Sequence, residues 1–267
     1  LPSKYDRRPI DFDRLKTIPI RDRGGKVTLS EMAKPYTKGS GVGGWLDSLP
    51  AVLAAPQFCS ITAAILDARA RGRAILWGIG GHVVKCGLAP VLLDLMNRGL
   101  VTAFVMNGAA SIHDFEIGMA GHTSEDVEAV LPDGRFGAAE ETGREMNEAI
   151  AQGVSEGLGM GEALGLRLAS MADPRFAGYS ILLGAWRVSL PVTVHVGVGT
   201  DTPHMHPRAD GAAVGKATHQ DFRLLCSLVR DLDDGGVYLN IGSAVVLPEV
   251  FLKCVSAVRN LGNPLAR

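Results

Sequence analysis

Ala74-Ile75-Leu76-Trp77-Gly78-Ile79-Gly80-Gly81-His82-Val83-Val84-Lys85 reads as a buried strand that ends in small residues and opens into an amphipathic stretch. The same form returns three times. Val101–Val105 leads into Asn107-Gly108-Ala109-Ala110, Val192–Val198 into Gly199-Thr200-Asp201, and Val237–Asn240 into Gly242-Ser243-Ala244. Three of these four loops run straight into a helix. Bare backbone N–H groups at a strand's carboxyl end, and the partial positive charge of a helix N-terminus, attract phosphates. Four such loops predict a nucleotide or dinucleotide lying across one edge of a sheet.

Outward from these segments, strands alternate with helices, so the economical fold is α/β: a Rossmann-like parallel sheet flanked by helices on both faces. Residues 1–44 read as an irregular N-terminal arm, rich in charge and in Gly39-Ser40-Gly41-Val42-Gly43-Gly44, and 45–267 as a single α/β domain. Such an arm is either a flexible lead-in or a segment laid on a neighbouring subunit. Tyr5, Phe12 and Tyr36 among its charges, with Trp45 directly after it, favour the second. Helices are expected at 46–53, 59–71, 82–98 (kinked or restarted at Gly87 and Pro90), 111–120, 138–152, 160–171, 218–232 and 245–260. Thr123-Ser124-Glu125-Asp126 has the capping hydroxyl and early acids of a helix start over 123–130. Ile181–Ala185 reads as a further strand.

At 267 residues and 46% hydrophobic content the chain can bury a sizeable core. A net charge of −1 argues against nucleic acid and anionic lipid as partners. No apolar run approaches the roughly 20 residues that span a bilayer, and the first 25 residues, charged and Pro-containing, are unlike a signal peptide. Cys59, Cys86, Cys226 and Cys254 lack any zinc spacing and read as reduced core thiols of a cytoplasmic protein.

The chemistry concentrates in three places. Gly78-Ile79-Gly80-Gly81 lacks the third glycine of GxGxxG, because Val83 stands there; such a loop serves phosphate binding or tight strand–helix packing. Asn107 to Glu116 gathers an amide, a hydroxyl, His113, Asp114 and Glu116 within ten residues of a strand end. Asp114 is suited to accept from ribose hydroxyls and His113 to carry a proton near neutral pH; an ordinary helix cap with solvated acids is the plain alternative. Asp201, His204 and His206 form the third patch, suited to substrate or cofactor contacts or, less simply, to a metal. No third histidine or glutamate stands at a recognisable spacing, so no metal site is assigned. Lys85, four residues after the first Gly loop, is the lysine placed near the ligand edge, where it could form an imine.

These segments together resemble the deoxyhypusine synthases, and more closely their uncharacterised prokaryotic relatives. The resemblance runs from about residue 74 to 260. It is carried by 74–81, Val105–Glu116, Thr123–Val127, Asp133-Gly134-Arg135-Phe136-Gly137, Glu141-Thr142-Gly143, Pro191–Asp201 and Gly242–Val246, in that order and spacing. It implies a Rossmann-like homotetramer, a pair of dimers, that uses NAD to move an aminobutyl group. The group passes from spermidine, through a lysine imine, to a protein lysine or another polyamine. By position NAD would meet Gly80, Gly81, Asn107, Gly108, Ala109, Ala110, Asp114, Asp201, Gly242, Ser243 and Ala244. Glu116 and Asp201 would hold substrate ammonium groups, with Lys85, His113 and His204 as the catalytic candidates.

The chain also departs from that pattern. The family's Val-Val-Lys-His-His after its glycine triplet stands here as Val245-Val246-Leu247-Pro248-Glu249, and its Trp-Gly-Lys segment does not occur before Arg267. The expected function is therefore NAD-dependent aminoalkyl transfer. The alternatives are a non-catalytic NAD- or metabolite-binding protein and a metal-dependent hydrolase built on Asp201, His204 and His206.

Overall fold

The computed structural model describes residues 4–266. Its sheet has four strands, β1 (Ile75–Ile79), β2 (Ala103–Asn107), β3 (Val192–His195) and β4 (Val237–Ile241), in the order β3-β2-β1-β4. All pairings are parallel, with Trp77 opposite Phe104 and Leu239, and Asn107 opposite His195. The four carboxyl ends, and hence the four small-residue loops, share one edge. Burial on both faces explains the near-continuous apolar strands.

Helices α10 (Gly211–Arg230) and α11 (Val246–Asn260) cover one face, where Leu225, Val229, Leu247 and Cys254 pack on Leu76, Ala103 and Val105. On the other face Phe104 and Met106 meet side chains of α3 (Gly81–Lys85), α4 (Ala89–Asn97), α5 (Gly108–Ala120), α7 (Glu140–Ser155), α8 (Met160–Met171) and α9 (Ile181–Arg187). The expected break near Gly87 separates α3 from α4, and Gly87 itself sits at φ +78°.

Two expected elements change. Ile181–Ala185 is helical, because the Asp114 carboxylate accepts the N–H groups of Ile181 (2.7 Å) and Leu182 (2.9 Å), and the Ser180 hydroxyl accepts that of Leu183. Three N-terminal donors are thereby satisfied, which fixes a helix start on a run too short to show its own period. The helix expected over 123–130 is cut back to its second half: Ser124 has φ +73°, and α6 runs only over Val127–Val130 behind its cap Asp126, whose carboxylate accepts Ala129 N–H. The cysteines also differ from expectation, since Cys59 and Cys86 are exposed and only Cys254 is buried.

The chain divides into two compact units, Leu1–Ile61 and Thr62–Arg267, with the boundary inside α2 (Ala54–Ala70). The sheet belongs to the second. In the first, two single-turn 3-10 helices precede α1 (Gly41–Ser48), and Lys34 N–H to Ser48 O and Ala51 N–H to Glu31 O (both 2.9 Å) tie the segment before α1 to the one after it. None of its described residues is buried.

Candidate functional site

Helix α5 starts directly at the end of β2, with the Asn107 side chain accepting Ala110 N–H at 2.9 Å. Its residues 109, 112, 113 and 116 lie at helical spacing on one face. Together with Lys85 of α3 and Asp201 of the loop after β3, they line a cleft of about 240 Å³, which Glu125 and Phe136 also border. Lys85, His113, Glu116 and Asp201, four of the residues singled out in the sequence, therefore meet in one place. A second cavity of about 600 Å³ shares Glu116 and Glu125 with the first and adds Thr123, Glu141 and Thr142.

Inside the cleft, Glu116 is held by two hydroxyls. Thr142 of α7 donates to its Oε1 at 2.9 Å, and Thr123 donates to its Oε2 in a short contact. Thr123 Oγ1 also lies 2.7 Å from His113 Nδ1. Burial lowers the His113 pKa; Glu116 opposes that shift, while Lys85 and His82 reinforce it. The ring is thus biased towards its neutral form at pH 7. Asp201 accepts Gly197 N–H at 2.9 Å, and burial raises its pKa against that bond and the nearby His204. Its carboxylate rests on Gly108, where an added Cβ would lie 2.1 Å from Asp201 Oδ2.

Several expected contacts are replaced by packing. Gly80 is buried because the strand ends of β1 and β4 touch: its N–H donates to Ile241 O at 2.8 Å, and a Cβ there would lie 2.0 Å from Gly242 O. Gly81 is buried against Ala109 and His113, Gly108 beneath Asp201, and Ala110 in the core. Asp114 is fully buried, with its oxygens engaged by Ser180, Ile181 and Leu182, so it caps α9 and has no face to offer a ribose. Burial raises its pKa to about 6. Ser243 is buried and caps α11, its hydroxyl accepting Leu247 N–H at 3.2 Å. Asn107 and Ala109 are half-buried, and Gly242 and Ala244 are exposed.

His204 lies beside Asp201 but does not line the cleft. His206 has both ring nitrogens engaged, Nδ1 by Arg208 N–H and Nε2 by Glu140, each at 3.1 Å. Among the described residues no three His, Cys, Asp or Glu side chains converge as a metal set.

Sequence reasoning missed two buried titratable groups near the same sheet edge. His195 ends β3 with Nε2 3.0 Å from Thr193 Oγ1, and burial pushes its pKa down to about 4. Asp221 Oδ2 accepts Val194 N–H (2.7 Å) and Gly161 N–H (2.9 Å), closing the free side of β3 onto the start of α8. Its Oδ1 has no hydrogen-bond partner among the described residues, and burial raises its pKa to about 7. The signal was present: Val214, Ala217, Asp221 and Leu225 form one helical stripe, and a carboxylate in it must find backbone donors.

No protein-family model matches the chain, and no curated protein sequence matches it. Solved structures with a similar course include a candidate deoxyhypusine synthase from Entamoeba histolytica, at 12% identity and TM-score 0.47, covering 85% of this chain and 96% of that one. A conserved LOR/SDH-type protein from Methanococcus maripaludis S2 matches at 11% identity and TM-score 0.45, over 93% and 69% of the two chains. ArgZ, a cyanobacterial arginine dihydrolase, matches at 16% identity and TM-score 0.45 over 73% of this chain; the match spans about a quarter (25%) of ArgZ itself. At these identities and TM-scores the likeness concerns the course of the chain alone. Among the described residues no helix is long and apolar enough to cross a membrane.

NAD needs charge for its phosphates, bare backbone and an acceptor for ribose hydroxyls. Of the expected contacts, Ala109, Gly242, Ala244 and Asp201 are still open at the edge and fit the last two needs, and Lys85, expected as a catalytic amine, brings a charge to the same cleft. The buried Gly80, Gly81, Gly108, Ala110, Asp114 and Ser243 act beneath them, as the scaffold of the edge.

Proposed function

We propose that this chain is an NAD-dependent transferase that moves an aminoalkyl group from a polyamine such as spermidine to an amine acceptor, a protein lysine or a second polyamine. The observation that carries the reading is the meeting of Lys85, His113, Glu116 and Asp201 in one cleft at the carboxyl edge of a parallel sheet. Asp201 and the exposed backbone at Gly242 and Ala244 would hold the cofactor, which when bound supplies a hydride acceptor. Glu116, already oriented by Thr123 and Thr142, takes the substrate's ammonium group, with Glu125 beside it. His113 takes the proton released as the amine carbon loses hydride. Lys85 is the amine placed to add to the oxidised carbon and displace the rest of the polyamine as a free amine, carrying the transferred group as an imine. The acceptor amine then displaces Lys85, and the product imine regains the hydride.

Borohydride trapping in the presence of NAD and spermidine, followed by peptide mapping, tests this directly. An adduct on Lys85 is the expected result. The exposure of Lys85 favours a second reading, in which the chain binds NAD or a related metabolite without turnover. That reading takes over if NAD binds and no polyamine forms an adduct on any residue.

The same reading makes the protein a cytoplasmic homotetramer. What supports association is the first unit, where Tyr5, Leu29 and Leu53 are 84%, 90% and 88% exposed. Apolar side chains presented in that number suit a second copy. Light scattering should report a multiple of 28.2 kDa, and a mass at that value at micromolar concentration would count against assembly.

A further inference from the structure

The hydrogen bonds around His113 carry more than its presence in the cleft. Thr123 Oγ1 has a single hydrogen, and it is directed to Glu116 Oε2. At His113, 2.7 Å away, the same oxygen must therefore accept, so the ring's hydrogen is on Nδ1. The hydrogen bond at Nδ1 is the ring's only one among the described residues, and the opposite edge of the ring faces Gly81, whose added Cβ would lie 3.2 Å from Cδ2. Glu116 cannot turn away from Thr123, because Thr142 on α7 holds its other oxygen.

We infer that Thr123 and Glu116 lock His113 as the Nδ1–H tautomer, leaving the Nε2 lone pair free as the proton acceptor of the cleft, with Thr123 as the positioning residue. The chain of contacts runs from α5 to the 121–126 loop, back to α5 and on to α7. It explains why Thr123 and Ser124 leave helical geometry: the loop delivers a hydroxyl between two side chains of α5. When Nε2 gains a proton, the new positive charge on the ring is met through Thr123 by the Glu116 carboxylate, and no bond other than Nε2–H has to form. This deepens the proposed reading of the cleft as a site of proton and hydride removal and rests on it. The hydroxyl bridge has a consequence for pH. The charged groups facing the ring are Glu116 on its own helix, Lys85 and His82 on α3, Glu125 from the loop and Asp201 from the segment after β3. Of these, Glu116 is the one coupled to it by hydrogen bonds.

Long-range proton–nitrogen NMR of the intact, uniformly labelled protein reads the tautomer without cofactor or substrate. His113, assigned by its loss in His113→Gln, should show a protonated Nδ1 and a bare Nε2 at pH 8. Thr123→Ser should keep that pattern. Thr123→Val, of the same shape but without the hydroxyl, should lose it and give a mixture or the Nε2–H form. Glu116→Gln should lower the midpoint at which the ring titrates. A wild-type ring protonated at Nε2 overturns the inference without any variant. So does a Thr123→Val protein that keeps the wild-type pattern, or a Thr123→Ser protein that loses it. NAD titration of the same samples reports on the cofactor site separately, so failure of the tautomer lock and failure of the proposed function are distinguishable.

Discussion

The carboxyl edge of the sheet has two halves that look alike in sequence and differ in kind. Between β1 and β4, Gly80 lies backbone against backbone with Gly242 and is shut in, while Gly242 itself stays exposed. Beside β2, Ala109 and the partly exposed face of α5 line a cleft where Lys85, His113, Glu116 and Asp201 converge. Small residues stand at both. A glycine at a strand end thus marks close approach of something, and here at Gly80 that something is the protein's own chain. What separates the halves is the polar side chains around the glycines, and whether folding already uses their hydrogen-bonding capacity.

The sharpest way to break the comparison is one methyl group on each half. Gly80→Ala would put a Cβ into the Gly242 carbonyl, where only backbone can give way; its φ of −96° suits alanine, so the effect is steric. We expect a loss of about 3 kcal/mol in urea unfolding. On α5 the same contrast lies within one helix, since Asp114 faces the core and Glu116 the cleft. Asp114→Ala leaves the Ile181 and Leu182 N–H groups without an acceptor and should lose about 2 kcal/mol. Glu116→Gln should change stability much less.

The buried carboxylates also impose a pH dependence on stability. Burial holds the Asp221 and Asp114 pKa values near 7 and 6, above their unfolded values. Their contribution to stability is therefore full below about pH 4 and is lost as pH rises to about 7. One such group gives a slope of up to about 1.4 kcal/mol per pH unit. Asp221→Asn should flatten the fall above pH 6, leaving the part due to Asp114, and should make the variant more stable than wild type at pH 8. Equal slopes in the two proteins would contradict the burial of an ionising Asp221. At Gly108 the smallest effect is expected. A Cβ there meets a side chain, the Asp201 carboxylate, which can swing aside at about 1 kcal/mol. Its mark should be weaker cofactor binding with the fold intact.

The parallel sheet was legible because each strand ends in residues that no strand interior would choose. Gly78 to Gly81 and Asn107 to Ala110 announce both the end of a strand and the start of a helix. The misread elements depend on partners far along the chain. Ile181–Ala185 has five residues of apolar run, and what makes it a helix is a carboxylate at position 114. Thr123-Ser124-Glu125-Asp126 has the composition of a helix start, yet its hydroxyl is already engaged by His113 and Glu116. The cleft itself was half legible. Lys85, His113, Glu116 and Asp201 were visible as chemistry near strand ends. That Asp114, one residue from His113, points the other way follows from the 100° step of a helix, which residue type alone does not reveal.

The central claim is that the cofactor lies across the cleft beside β2 and the exposed backbone at Gly242 and Ala244, with Gly80 sealed beneath it. Calorimetric titration of NAD into wild type, Lys85→Ala and Asp201→Asn tests it most directly. The account predicts a wild-type Kd on the order of 1 μM, about −8 kcal/mol, and at least roughly tenfold weakening, about 1.4 kcal/mol, in each variant. Absence of NAD binding to the wild-type protein, or wild-type affinity in both cleft variants, would contradict it.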